Sequence, residues 1–257
     1  MKLHQLSFIT LVLLSSSAQA FDLGGLKEQL GKAVQTPAQP AAAPTASNPS
    51  ALSSFSNKDQ VGSLKQALTQ GAETAVAGLA KENGFLGNDK VRIPLPASLQ
   101  KAESLMRSFG MGKYADELTT SMNRAAEAAV PEAKTLLVGA VKKMSVEDAK
   151  GILLGGSDSA TQYFRKTTET QIAGKFKPIV GKSMQKVKLA EKYDQFAGKG
   201  VSLGLVDQKD AKLDDYITRK AMDGLFLMMA EQEKAIRANP MQAAGTLAQK
   251  VFSAIKL

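Results

Sequence analysis

Residues 152–165, ILLGGSDSATQYFR, bring two adjacent glycines, a Ser-Asp-Ser triplet, a tyrosine and an arginine into one short stretch. A glycine corner ahead of a helix exposes backbone N–H groups that hold phosphate or carboxylate, provided the space before them is open and positively biased. The spacing argues against a phosphate loop, because there is no G-x-x-x-x-G-K-[ST], no G-x-G-x-x-G and no preceding strand. Gly155 is expected to end one helix and Ser157 or Asp158 to cap the next, so that an Asp158 carboxylate fills the place a phosphate would take. Beyond the corner, Ala160, Tyr163, Phe164 and Thr167 are expected to face the core. Asp158, Gln162, Arg165 and Glu169 form the polar side, with Arg165 and Glu169 at ion-pair spacing. Arg165 and Tyr163 are the side chains placed to touch a ligand should one bind here.

Other chemistry is limited by what is missing. The opening residues, MKLHQLSFITLVLLSSSAQAF, have a positive start, an apolar stretch from Leu6 to Leu14 and an A-x-A end, the pattern of a signal peptide cleaved near Ala20/Phe21. Residues 1–20 contain the one histidine, and the sequence has no cysteine and no tryptophan. A mature chain without imidazole or thiol cannot build a Ser-His-Asp or Cys-His centre. Zinc and copper sites lose their usual ligands, and no cofactor is expected. Without disulfides, stability must come from a buried core.

Three sets of residues keep other options open. Glu103, followed by Ser104, echoes helical wall-lytic enzymes, so the alternative function is a carboxylate-dependent enzyme acting on cell-wall glycan. The stretch offers little for stacking sugars, with only four tyrosines in the chain. Asp207, Asp210, Asp214 and Asp215 lie close enough to suggest calcium but lack the EF-hand pattern, and Asp214 or Asp215 as a helix N-cap explains them more simply. Met106, Met111, Met122, Met144, Met184, Met222, Met228, Met229 and Met241 either line an adaptable apolar groove or fill gaps in the core.

Charge points to anionic partners. Lys plus Arg number 33 against 24 Asp plus Glu, a net charge of +9, which favours acidic partners without bearing on fold. The basic run Lys175, Lys177, Lys182, Lys186, Lys188 and Lys192 is offset by Glu191 alone. Lys182 and Lys186 are expected on one helical face and Lys188 and Lys192 on another, giving either a solvated surface or one that binds headgroups. An envelope protein, an anionic lipid or a cell-wall polymer fits an exported chain; nucleic acid does not. The location expected is the periplasm.

The elements that must position these residues are helical. Residues 1–20 form the leader, and 21–56 a short amphipathic piece followed by a Pro/Ala/Ser linker with prolines at 37, 40, 44 and 49. Residues 57–257 form one domain. Val61, Leu64, Leu68, Ala72, Ala75 and Leu79 make one apolar stripe that stops at Asn83-Gly84. FLGNDKVRIPLPAS is a loop pinned on the core through Phe85, Leu86, Val91, Ile93 and Leu95. Tyr114, Leu118, Met122, Ala125 and Ala129 share a face. Pro131 opens the next helix and Ser145 caps another. Further helices are expected after Pro178, over 213–238 and from Met241 onward, with 197–210 as a connection. Residues 221–230 are apolar on almost every side, which places that helix mid-bundle. The fold class is all-α, a single bundle of about eight or nine helices with a buried central C-terminal helix.

RIPLP at 92–96, MNRAAEAAVPEAK at 122–134, GGSDSATQYFR at 155–165 and DGLFLMMAEQEKAIRANP at 223–240 appear in order. With them the chain, over roughly residues 60 to 255, resembles a family of exported bacterial proteins classed as a domain of unknown function. The resemblance implies an all-helical domain secreted across the inner membrane of a diderm bacterium. It implies no activity and carries over no catalytic or binding residue.

Overall fold

A computed structural model describes residues 53–254 apart from 111, 203, 205 and 244. The leader, the amphipathic piece and the prolines of the linker lie outside the described residues. Every regular element of the described chain is helical, and the described residues contain no strand. Its helices are α1 (Asn57–Ala80), α2 (Ala97–Ser108), α3 (Gly112–Ala129), α4 (Ala133–Lys143), α5 (Val146–Leu154), α6 (Ser159–Met184), α7 (Lys188–Ser202), α8 (Leu213–Ala238) and α9 (Thr246–Ala254). Among the described residues no helix is long and apolar enough to cross a membrane.

Local signals set most boundaries. Ser56 caps α1 by accepting the Asp59 N–H, and Asn83 supplies the left-handed residue after it, with φ 64°. Pro131 sits in the first turn of a 3₁₀ segment that leads into α4, where its missing N–H costs nothing. Ser145 and Asp148 form a reciprocal capping box at the start of α5.

α6 and α8 form the centre and run antiparallel: Ala160 meets Glu233, Arg165 meets Asp223, and Lys177 meets Asp215. α3 and α4 pack on α6, and α1 packs on α4, α8 and α9. The expected central helix α8 is buried at Ala221, Met222, Leu225, Phe226 and Met229, while Asp223 and Leu227 face outward. The pinned loop is as expected, with Phe85, Val91, Ile93 and Leu95 buried and Leu86 half-buried.

Several boundaries and faces differ from the sequence expectation. α6 runs unbroken through Pro178. Ile172, Phe176, Val180 and Met184 are buried on both sides of it, so packing outweighs the hydrogen bond that Pro178 cannot donate to the Gly174 carbonyl. The break falls instead at residues 185–187, which leaves Lys186 outside the helix that carries Lys182. α7 extends to Ser202 through part of the expected connection. α9 starts only at Thr246, because residues 240–242 form a 3₁₀ turn and Gly245 has φ 82°. The expected stripe of α3 is buried at Leu118, Met122, Ala125 and Ala129, but at its start Ala115 is buried and Tyr114 is 45% exposed. On α6 the buried threonines are Thr161 and Thr168, and Thr167 is exposed.

Candidate functional site at the glycine corner

The corner joins α5 to α6. α5 ends at Gly155, where the backbone approaches so closely that a Cβ would lie 2.2 Å from the Ser159 hydroxyl and 2.6 Å from the Gly151 carbonyl oxygen. Glycine is required there by space.

Asp158 stands at the N-cap position of α6 but makes no side-chain cap; its carboxylate accepts from Gln162 instead. The free N–H groups of α6 are taken by a residue far away in sequence. The Glu233 carboxylate accepts from the Ala160 N–H at 3.1 Å, the Thr161 N–H at 3.0 Å and the Thr161 hydroxyl at 3.1 Å. Arg237, one turn on, donates to Glu233 at 2.9 Å and to the Ile152 carbonyl at 2.8 Å. A carboxylate thus closes the positive end of α6 and a guanidinium the negative end of α5, each the sign the helix dipole favours. The corner does hold an anion, and it is the protein's own.

A second buried carboxylate works in the same way. Glu127 on α3 accepts from the Phe85 and Leu86 N–H groups at 3.0 and 3.2 Å and from Arg124 at 2.6 Å. Beside it, Asn123 accepts from the Ile93 N–H at 2.8 Å and donates to the Ile93 carbonyl at 2.9 Å, as a neighbouring strand would. Asn123, Arg124 and Glu127 therefore clip the 82–96 loop to α3, and Gly224 of α8 closes it from the other side.

The sequence-predicted site residues are not brought together. Tyr163 is half-buried and donates its hydroxyl to the Ala140 carbonyl at 3.1 Å; burial raises its pKa. Arg165 pairs with Glu169 at 2.8 Å and Asp223 at 3.3 Å and lies over the Phe226 ring at 4.6 Å, so its charge is already met. Lys182 is exposed near the other end of α6, roughly 25 Å along the axis from Arg165 at 1.5 Å per residue, and Lys186 follows it past the helix end.

The remaining candidates are also partnered. Glu103 lies on the surface and accepts from Arg107 at 2.7 Å. Asp207 caps and pairs with Lys209, Asp210 pairs with Arg219, Asp214 accepts the Asp215 N–H, and Asp215 pairs with Lys177. Lys212 rather than Asp214 or Asp215 stands at the N-cap of α8, and Asp194 of α7 accepts the Leu213 N–H. No described group of three or more His, Cys, Asp or Glu residues is arranged to hold a metal. Met122, Met144, Met184, Met222 and Met229 are buried in the core, and Met241 is exposed. Beside Glu233 and Arg237, a crevice lined by Leu64, Leu68, Phe164 and Phe252 has a volume of about 30 Å³, room for a water or two.

Each pair of facing clips joins two of the four segments quoted above: RIPLP to MNRAAEAA, and GGSDSATQYFR to the 223–240 helix. A family model described as "Protein of unknown function (DUF4197)" matches residues 54–253. The chain belongs to this family. No curated protein and no solved structure matches it. In this DUF4197 domain Ile93, Asn123, Ala160, Thr161, Glu233 and Arg237 of those segments make contacts that hold a loop and a helix start in place.

Sequence reasoning missed Glu233, Arg237, Asn123 and Glu127. Their signal was position: Glu233 falls in helical register with Met222, Phe226 and Met229, and Asn123 with Ala126 and Val130. A polar residue on a buried stripe needs partners.

Proposed function

We propose that the chain is a non-enzymatic binding module of the bacterial envelope, exported to the periplasm, that recognises a protein partner or an amphipathic or anionic ligand with its outer surface. The observation that carries this is the occupancy of the buried carboxylates. Both oxygens of Glu233 and both of Glu127 accept hydrogen bonds from the protein's own backbone or guanidinium groups. A general acid or base needs an oxygen within reach of substrate, and these face inward onto helix and loop N–H groups. The outer surface is where basic charge remains exposed, and the signal-like leader and basic balance support an envelope setting.

Native mass spectrometry of the chain purified from expressing cells, paired with an assay for release of fragments from peptidoglycan, tests this. A retained lipid, polymer fragment or defined protein partner, with no glycan turnover, is the expected result. Turnover that is abolished by Glu103→Gln would establish the glycan enzyme instead.

A further inference from the structure

We infer that the corner formed by the end of α6 and the start of α7 seats on an anionic lipid bilayer. This deepens the binding role proposed above and rests on it. Between residues 175 and 192 there are six lysines and one glutamate. All six lysines are exposed, whereas Phe176, Val180, Met184, Val187 and Ala190 of the same stretch are buried. Only Lys177 has an ion-pair partner among the described residues, Asp215 at 2.5 Å. Of the acids nearby, Asp215 faces Lys177 and Asp194 accepts the Leu213 N–H.

The arrangement suits a plane better than a single small anion. Lys175 and Lys182 are seven residues apart on one face of α6, a separation of about 10 Å along the axis. α6 ends at Met184 and α7 begins at Lys188, and Lys188 and Lys192 share a face of α7. These cations are spread across two helices, and none of them lines the cavity of about 350 Å³ at this corner, whose walls carry Glu191, Asp194 and Asp214. Nor does the stretch expose a large apolar side chain, so it lacks the buried aromatic or aliphatic anchor that a protein partner engages. What remains is a set of long, exposed cations, matched in charge to a sheet of phosphate headgroups. Each lysine near such a surface strengthens binding roughly fivefold, and the effect fades within a Debye length.

The test is cosedimentation of the purified chain with vesicles of phosphatidylcholine containing about 30 mol % phosphatidylglycerol, and with pure phosphatidylcholine vesicles. Binding to the anionic vesicles at about 0.1 M NaCl and its loss at about 0.5 M are expected. The triple variant Lys182→Glu, Lys186→Glu, Lys188→Glu is expected to bind at least about tenfold more weakly. The control reverses three exposed lysines elsewhere, Lys58, Lys150 and Lys166, and is expected to retain most of the binding. Equal losses in the two triple variants would reduce the effect to net charge and overturn the assignment. So would failure of the unaltered chain to bind either vesicle. Pelleting with isolated peptidoglycan in place of vesicles would overturn the bilayer while leaving a binding role intact, whereas glycan turnover would remove the binding role itself.

Discussion

Glu233, near the end of α8, holds the first free N–H groups of α6 through Ala160 at 3.1 Å, a contact between residues 73 apart in sequence. Its side chain is 7% exposed and that of Arg237 17%, so the pair is screened little by solvent. Replacing Glu233 with Gln leaves Arg237 facing no opposite charge and puts a donor against one of the two N–H groups that need an acceptor. A loss of about 3 kcal/mol is expected from breaking a buried pair, read by urea unfolding. Adding Arg237→Leu to Glu233→Leu should recover part of the loss, since coupled partners are not additive. Strictly additive losses would mean the two side chains act separately.

The clip on the 82–96 loop makes a local prediction. Asn123→Leu removes both hydrogen bonds to Ile93 and leaves its backbone groups unmet, at a cost of about 2 kcal/mol. Amide exchange of Ile93 should then occur by opening of the loop alone, ahead of global unfolding. If Ile93 still exchanges only with the whole domain, another contact holds the loop.

Gly224 tests the same loop from the opposite side. A Cβ at this position would lie 2.8 Å from the Phe85 ring and 3.2 Å from Val91 Cβ. Gly224→Ala improves helix propensity but overpacks, so a net destabilisation of about 1–2 kcal/mol is expected. A stabilised variant would show that the loop can retreat freely.

The helices and their caps were legible because their causes are local: Ser145 with Asp148, Pro131 in a first turn, and Leu64, Leu68 and Leu79 in one stripe. Tertiary packing moved the rest. Pro178 is a breaker by propensity, yet the helix continues through it with Ile172 and Val180 buried on either side. The glycine corner was correctly read as a helix junction, but not for its cap: Asp158 makes none, and the carboxylate in the anion's place is that of Glu233. That carboxylate could not be assigned from the neighbouring residues, because Asp158 and Glu233 compete for it and only the antiparallel pairing of α6 with α8 decides. Arg165 looked available for a ligand for the same reason, since Asp223 and Phe226 reach it across that interface.

Arg165 should accordingly matter little for stability or for ligand capture. Its partners Glu169 and Asp223 are 43% and 48% exposed, and exposed pairs contribute about 0.2–1 kcal/mol each. Arg165→Met is expected to lower stability by no more than about 2 kcal/mol and to leave binding to anionic vesicles unchanged. A large loss of vesicle binding would relocate the basic surface to the start of α6.

Three of the four tyrosines donate to backbone carbonyls: Tyr163 to Ala140, Tyr193 to Asp210 and Tyr216 to Pro94, at 3.1, 2.5 and 3.0 Å. Burial raises the pKa of all three, that of Tyr216 to about 12. A phenol whose folded pKa is raised stabilises the fold fully while the unfolded chain is also protonated, and this stabilisation is lost as pH climbs past its ordinary value toward the folded one. Stability should therefore fall between about pH 10 and pH 12. The absence of tryptophan leaves tyrosinate absorbance near 295 nm unobscured, and most of its rise should coincide with loss of helical circular dichroism. Tyr216→Phe should lower stability at neutral pH by about 1 kcal/mol through the lost hydrogen bond and flatten the alkaline slope. If the phenols titrate while the helices remain intact, they are open to water and do not pin the backbone.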